Sequence, residues 1–382
     1  MSTRLHIDFE TRSTVDLKAA GLDNYARHPD TDVWCMAYAF GDDEPSIWTP
    51  ADDKVDPKTE AGIAVIRRRN DILGHVVHGA GEWQGGIVVA HNAAFELAIW
   101  NQIMVPRYGW PPLKPEQVRC TMAMAYAMAL PGALDNAAAA VGINHRKDAA
   151  GYRLMMQMCR PREIIEVKAE SFVHGKQPDE RVIIWWDEPA KLQQLYEYCR
   201  QDVRVERELE KRLMPLSDDE QALWVLDYKI NQRGIYIDRP AAEKAIAIVQ
   251  LETERLNGEM RRITDNFVGF CTETARLLAW VRKQGVEMPG VAKADVLDAL
   301  DLAALPDKVR AALLIRQEAG KSSTAKLRAM TEAASADNRL RGMLQYHGAG
   351  TGRWAGRKVQ LQNMPRPSIG QDEINEVFEV LG

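Results

Sequence analysis

Three short acidic patterns lie far apart in the chain. Asp8-Phe9-Glu10 ends a run in which Leu5, Ile7 and Phe9 alternate with His6, Asp8 and Glu10. That alternation is the period of a strand, so both carboxylates point to one side of a sheet. Two neighbouring acids repel unless a cation lies between them, and oxygen-only donors favour Mg2+ or Mn2+. A DxE on an exposed strand edge is also ordinary surface. Asn92-Ala-Ala-Phe95-Glu96 follows the apolar run Gly86 to Ala90. Asn92 and Glu96 are four apart and share one face of a helix start. Asn is equally a helix cap, and Glu suits the first turn, where the helix dipole favours negative charge. Tyr198-x-x-x-Asp202 stacks a phenol and a carboxylate on one helical face. The same spacing fits an amphipathic helix with a boundary tyrosine and a surface acid.

The elements that would position these groups follow from periodicity. Val33 to Phe40 and Ile47-Trp48 read as further strands, and Gly86 to Ala90 as a short buried one. Helices are expected at 94–104 and 121–141, the second broken at Pro131-Gly132. Strand and helix alternate, which predicts a layered α/β domain, a mixed sheet flanked by helices. Residues 160–187 read as a polar excursion or hairpin ending in Trp185-Trp186. Asp187 then resembles an N-cap, with Pro189 in the first turn of a helix running to about Leu213. After Pro215 the texture changes. Ser217 to Glu220 is a capping box for a helix to about Gln232. Helical patterns then fill 240–265, 272–284, 293–302 and 306–334. The expected domains are 1–214, a mainly α 215–341, and a Gly-rich, basic 342–382.

Composition narrows the class. The 382 residues suggest two or three domains, and 46% hydrophobic with 27% charged residues is ordinary globular content. Five cysteines without a CxxC pair argue against a disulfide framework or a cysteine zinc site, and suit reduced thiols in a cytoplasm. No signal pattern or membrane span is expected. Net charge is −5, but from Arg310 to Arg366 eleven Lys/Arg face three acids. That segment carries +8 and leaves −13 for the rest. An acidic first domain joined to a basic tail suits metal chemistry on a phosphate polymer, although a basic stretch is also simply a solvated face.

Taken together, strand-borne DxE, then NxxFE after a strand, then YxxxD on a late helix resemble the DEDD superfamily of 3′–5′ exonucleases, tyrosine branch. The contexts are Val89-Ala90-His91-Asn92-Ala93-Ala94-Phe95-Glu96 and Tyr198-Cys199-Arg200-Gln201-Asp202-Val203. The histidine branch would carry its His at 197, where this chain has Glu197. The superfamily usually has Asp where Glu96 stands. The resemblance implies a ribonuclease H-like fold and two Mg2+ (or Mn2+) ions. It implies that Asp8 bridges both, Glu10 and Asp202 hold the ion that makes hydroxide, and Glu96 serves the second. Tyr198 would aim the attacking water, with Asn92, Phe95 and Thr11 touching the terminal nucleotide of a single-stranded 3′ end.

The second half resembles family A DNA polymerases of the phage type. Gly348-Ala-Gly-Thr-Gly-Arg353-Trp354 with Leu361-Gln362-Asn363-Met364-Pro365 is similar to the segment that opens their palm. Glu318 to Leu327 (EAGKSSTAKL) is similar to their thumb tip. Lys321, Ser322, Lys326, Arg353, Gln362 and Asn363 are then expected to contact duplex DNA. The palm and fingers motifs of such polymerases have no counterpart after Asn363, so DNA synthesis is expected only with the missing palm and fingers, the chain being either a truncated product or one half of a split polymerase whose other half is a separate partner. The acids at 372, 373, 376 and 379 read as a solvated helix face. A non-catalytic DNA-binding subunit and an RNA-trimming exonuclease of the same fold remain alternatives.

Overall fold

The computed structural model describes residues 4–77, 86–144, 148–166, 181–320, 325–364 and 370–381. The chain forms two compact units, one of residues 1–235 with 341–357 and one of 236–340 with 358–382. The division falls after Ile235, one helix later than the expected 214–217, and each unit is discontinuous. The Asp218–Arg233 helix belongs to the first unit because Trp224 and Val225 enter its core beside Tyr346. The expected third domain at 342–382 is shared between the two units.

The first unit is built on strands β1 (Leu5–Arg12), β2 (Asp32–Phe40), β3 (Ser46–Trp48), β4 (Val88–Ala90) and β5 (Val118–Cys120), in the order β3-β2-β1-β4-β5. β2 is antiparallel to β1 and β3, while β4 is parallel to β1 and β5. Helices flank this mixed sheet. Leu5, Ile7 and Phe9 of β1, with Met36 and Tyr38 of β2, face an apolar core closed by Ile72, Leu97, Trp100 and Trp110. The other face carries His6, Asp8 and Glu10, whose cross-strand partners are Ala39, Ala37 and Cys35. These partners are small, so the Pro189–Glu210 helix comes down onto them through Cys199 and Val203. Period-2 alternation thus separates core from site on one strand.

Several elements were not expected from the sequence, among them the Leu22–Arg27, Glu60–Val77 and Ala149–Met158 helices and β5. The Glu60–Val77 helix buries only Gly62, Ile72 and Val76, too sparse a stripe to mark a face. β5 has three residues, too few for a period to be visible. The 94–104 helix is present as Ala93–Ile99, continued by a wider π turn at Trp100–Met104. The cap before Pro189 is Glu188 rather than Asp187, and its side chain makes no cap bond. Ser217 does accept from the Glu220 amide at 3.2 Å. The Glu220 carboxylate instead accepts from Tyr346 Oη at 2.5 Å. The 160–187 excursion is an antiparallel pair, Glu163–Glu166 with Arg181–Ile184; residues 167–180 lie outside the described set.

The second unit is helical: Arg239–Ile263, Thr274–Lys283, Lys293–Leu300, Asp307–Ala319, Ala325–Ala333 and Gln371–Leu381. Leu256, Met260, Leu277, Val281, Val309 and Leu313 form its core. The single helix expected over 306–334 appears as two, the first ending at Ala319 before Gly320. Asp372, Glu373, Glu376 and Glu379 are exposed, in line with a solvated face. Among the described residues, no helix is long and apolar enough to cross a membrane.

Candidate metal centre

β1 and the Pro189–Glu210 helix meet as a ladder. Arg4, His6, Asp8 and Glu10 alternate along one side of the strand, while Glu210, Glu206, Asp202 and Tyr198 recur every fourth residue on the helix. Arg4 pairs with Glu210. His6 Nδ1 lies 2.7 Å from Glu206 Oε2, both side chains being 3% exposed. The next rung has no such complement: it sets Asp8 and Glu10 against Asp202. Their ligand oxygens all lie within 4.8 Å of one another, and among the described residues this is the group with metal-ligand spacing.

The surroundings sharpen the conflict. Burial lifts Asp8 from an ordinary 3.8 to about 7, against a hydrogen bond from Cys199 and with added repulsion from Glu206. Cys199 Sγ donates to Asp8 Oδ2 at 3.3 Å and to the Asp8 carbonyl at 3.4 Å. Glu10 is pushed well above the carboxylate range, first by burial and then by the charges of Asp8, Cys35, Asp202 and Glu96. Asp202 rises for the same reason, through burial and then Asp8 and Asp135, while a hydrogen bond from Tyr198 opposes the rise. Burial, followed by the charges of Asp202, Glu10 and Asp8, raises the Tyr198 phenol, which therefore stays a protonated donor at neutral pH. Acids raising one another's proton affinity in this way make a candidate site for a cation. The donors are all carboxylate oxygens, which suits a hard divalent ion such as Mg2+ or Mn2+.

Glu96 stands beside the group of three rather than within it. It is 4% exposed on the Ala93–Ile99 helix, and its Oε2 accepts the Phe9 amide at 3.1 Å. That amide lies between Asp8 and Glu10 on β1. Burial and the Asp8 charge raise Glu96 too. The turn that delivers it places Asn92 in the left-handed region at φ 56°, and the Asn92 side chain makes no cap bond. Asn92 is exposed, and Phe95 is half-buried with its ring 6.4 Å from that of Tyr25. Thr11 is buried just past a register shift that leaves Trp34 of β2 without a partner, and its hydroxyl shares a 2.8 Å hydrogen bond with Tyr25 Oη. The Thr11 side chain is thereby committed to the strand end.

The remaining sequence-derived residues lie elsewhere. Arg353 is exposed in the hairpin loop between Leu344–Gln345 and Ala355–Gly356. The neighbouring Trp354 hydrogen-bonds Asp227, whose carboxyl burial raises to about 6. In the second unit Lys326 Nζ donates to the Asn363 carbonyl at 2.8 Å, and Gln362 is exposed beside it. Lys321, Ser322 and Pro365 lie outside the described residues. Sequence reasoning missed His6, Cys199, Glu206, Asp135 and Asp148. His6 and Glu206 carried a signal, since they continue the two-residue spacing of Asp8 and Glu10 and the four-residue spacing of Tyr198 and Asp202. Asp135 and Asp148 had none, because they act on Asp202 from other helices.

No protein-family model matches the sequence. The chain is 34% identical over 368 residues to a DNA polymerase of Bacillus phage SP02, covering 96% of this chain and 52% of that protein. It therefore spans about half the length of the curated relative it matches. Among solved structures, the POL domain of Pol1 from M. smegmatis, in complex with DNA primer-template and dNTP, is similar in fold. The TM-score is 0.54 at 13% identity, over 96% of this chain and 53% of that one.

Proposed function

From this kinship with a phage DNA polymerase we propose that the first unit is a metal-dependent 3′–5′ exonuclease acting on DNA ends. Its fold would be ribonuclease H-like, and the β3-β2-β1-β4-β5 order with an antiparallel first half supports that reading. The observation that carries the proposal is the all-acid rung of a ladder whose other rungs pair a basic side chain with an acid. Asp8, Glu10 and Asp202 would hold divalent ions there, with Glu96 as a fourth, more distant ligand. Such ions, when bound, supply Lewis-acid stabilisation of a phosphate and ready ionisation of water. Tyr198, protonated and next to Asp202, would aim that water. Asn92 and Phe95, with the strand end at Thr11, would meet the terminal nucleotide. Helices of the second unit and the basic segment would act as a thumb-like grip on duplex, and the Arg353 loop as the opening of a palm.

The test is digestion of a 3′-labelled single DNA strand with and without Mg2+, beside a ribonucleotide strand of the same sequence. Mg2+-dependent release of 5′-mononucleotides from DNA is expected, and Asp8→Ala should reduce it at least about a hundredfold while DNA binding persists. Binding without hydrolysis in the wild-type chain would instead identify a DNA-binding subunit, and preferential digestion of the ribonucleotide strand an RNA-trimming enzyme.

A further inference from the structure

Gly151 is buried in the first turn of the Ala149–Met158 helix, just after its cap Asp148. Its φ is not positive, so the backbone does not call for glycine. At an ordinary helical position alanine is favoured over glycine. The reason for glycine here is steric. A Cβ at 151 would stand 2.5 Å from Tyr198 Cδ2 and would also strike the Asp148 carboxylate. Asp148 Oδ1 is engaged by the amides of Ala150 at 3.0 Å and Gly151 at 2.8 Å. The Tyr198 ring is the stiffer neighbour: it follows a helix backbone fixed by buried Cys199 and Val203, and its phenol is bonded to Asp202. The same ring and the Gly151 backbone line a cavity of about 360 Å³ that also touches Asp148, Gln194 and Gln201.

We infer that Gly151 is a positioning residue: the missing side chain is the space that lets Tyr198 lie against the acid cluster. The inference rests on the exonuclease reading for its catalytic consequence, but not for its structural one. Gly151→Ala should displace the ring while leaving the three acids in place, because the three atoms nearest to its Cβ belong to Asp148 and Tyr198.

The experiment has two readouts. In the first, ring resonances of Tyr198, assigned with Tyr198→Phe, are followed while Mn2+ alone is added. Wild-type signals should broaden strongly because the ring adjoins the cluster, and Gly151→Ala should shift them and reduce the broadening, with Mn2+ affinity within about twofold of wild type. Unchanged ring signals in Gly151→Ala would overturn the inference. In the second, kcat on single-stranded DNA should fall about tenfold or more in Gly151→Ala with KM little changed. The same substitution in a Tyr198→Phe background should cost almost nothing further, since both act on one phenol. Full additivity would assign the loss to the Asp148 cap and overturn the inference. Asp148→Ala alone measures that cap. If the wild type hydrolyses nothing yet Gly151→Ala still moves the ring, the exonuclease reading fails and the positioning role stands.

Discussion

At Asp8 the fold holds a half-buried carboxyl among other acids. Its proton is held more tightly in the folded chain, to about 7, than at the ordinary 3.8 of the unfolded one. The sign follows from linkage: with the folded value raised, this contribution to stability is complete below 3.8 and is lost as pH rises through about 7. Glu10, Glu96 and Asp202 shift in the same direction and add to it. In EDTA the melting temperature should therefore fall as pH climbs across that window. Saturating Mg2+ should abolish most of the fall, and Asp8→Asn should flatten it without metal. A melting temperature independent of pH in EDTA would refute the account of the rung as an uncompensated acid group. Asp8, Glu10 and Asp202 were legible in the sequence because each sits in a short pattern with a secondary-structure period. The Cys199 thiol on Asp8 was not, because it bridges 191 residues of chain.

The ladder between β1 and the Pro189–Glu210 helix is the element that holds the site together. Its middle rung, His6 with Glu206, is buried on both sides, whereas Arg4 in the first rung has a side chain 46% exposed. His6→Ala should lower the urea midpoint by an amount equivalent to about 2 kcal/mol with an unchanged slope, since it leaves a buried carboxylate unbonded. Arg4→Ala should stay within about 0.5 kcal/mol, as exposed pairs do. Equal effects would mean that the helix is held by its apolar stripe alone. The pattern-rich elements, β1, β2 and this helix, could be read ahead of the structure because one face of each is apolar at a regular spacing. The Glu60–Val77 helix and β5 could not: one buries too few side chains to mark a face, and the other is too short to have one.

For the whole molecule the uneven charge is the feature to test. If the basic stretch grips duplex, Lys326→Gln and Arg353→Gln should each weaken duplex binding at every sequence. Each should also reduce the slope of log affinity against log salt by about one. An unchanged slope would make the stretch a solvated face. The domain plan was only partly readable. A change of texture near Pro215 is real, but the core decides where a unit ends, and Trp224, Val225 and Tyr346 extend the first unit past that change and back to it after 340.

The sequence by itself determined the three acids of the cluster, the sheet that bears two of them and the helical character of the second half, because side-chain period and local propensity act over a few residues. Only the tertiary structure decided that these acids face one another across a ladder whose other rungs pair a basic side chain with an acid. It also decided that Glu96 rests on the Phe9 amide, and that a glycine clears the space for Tyr198. Those outcomes depend on distances between groups remote in the chain, which packing sets and no local pattern encodes.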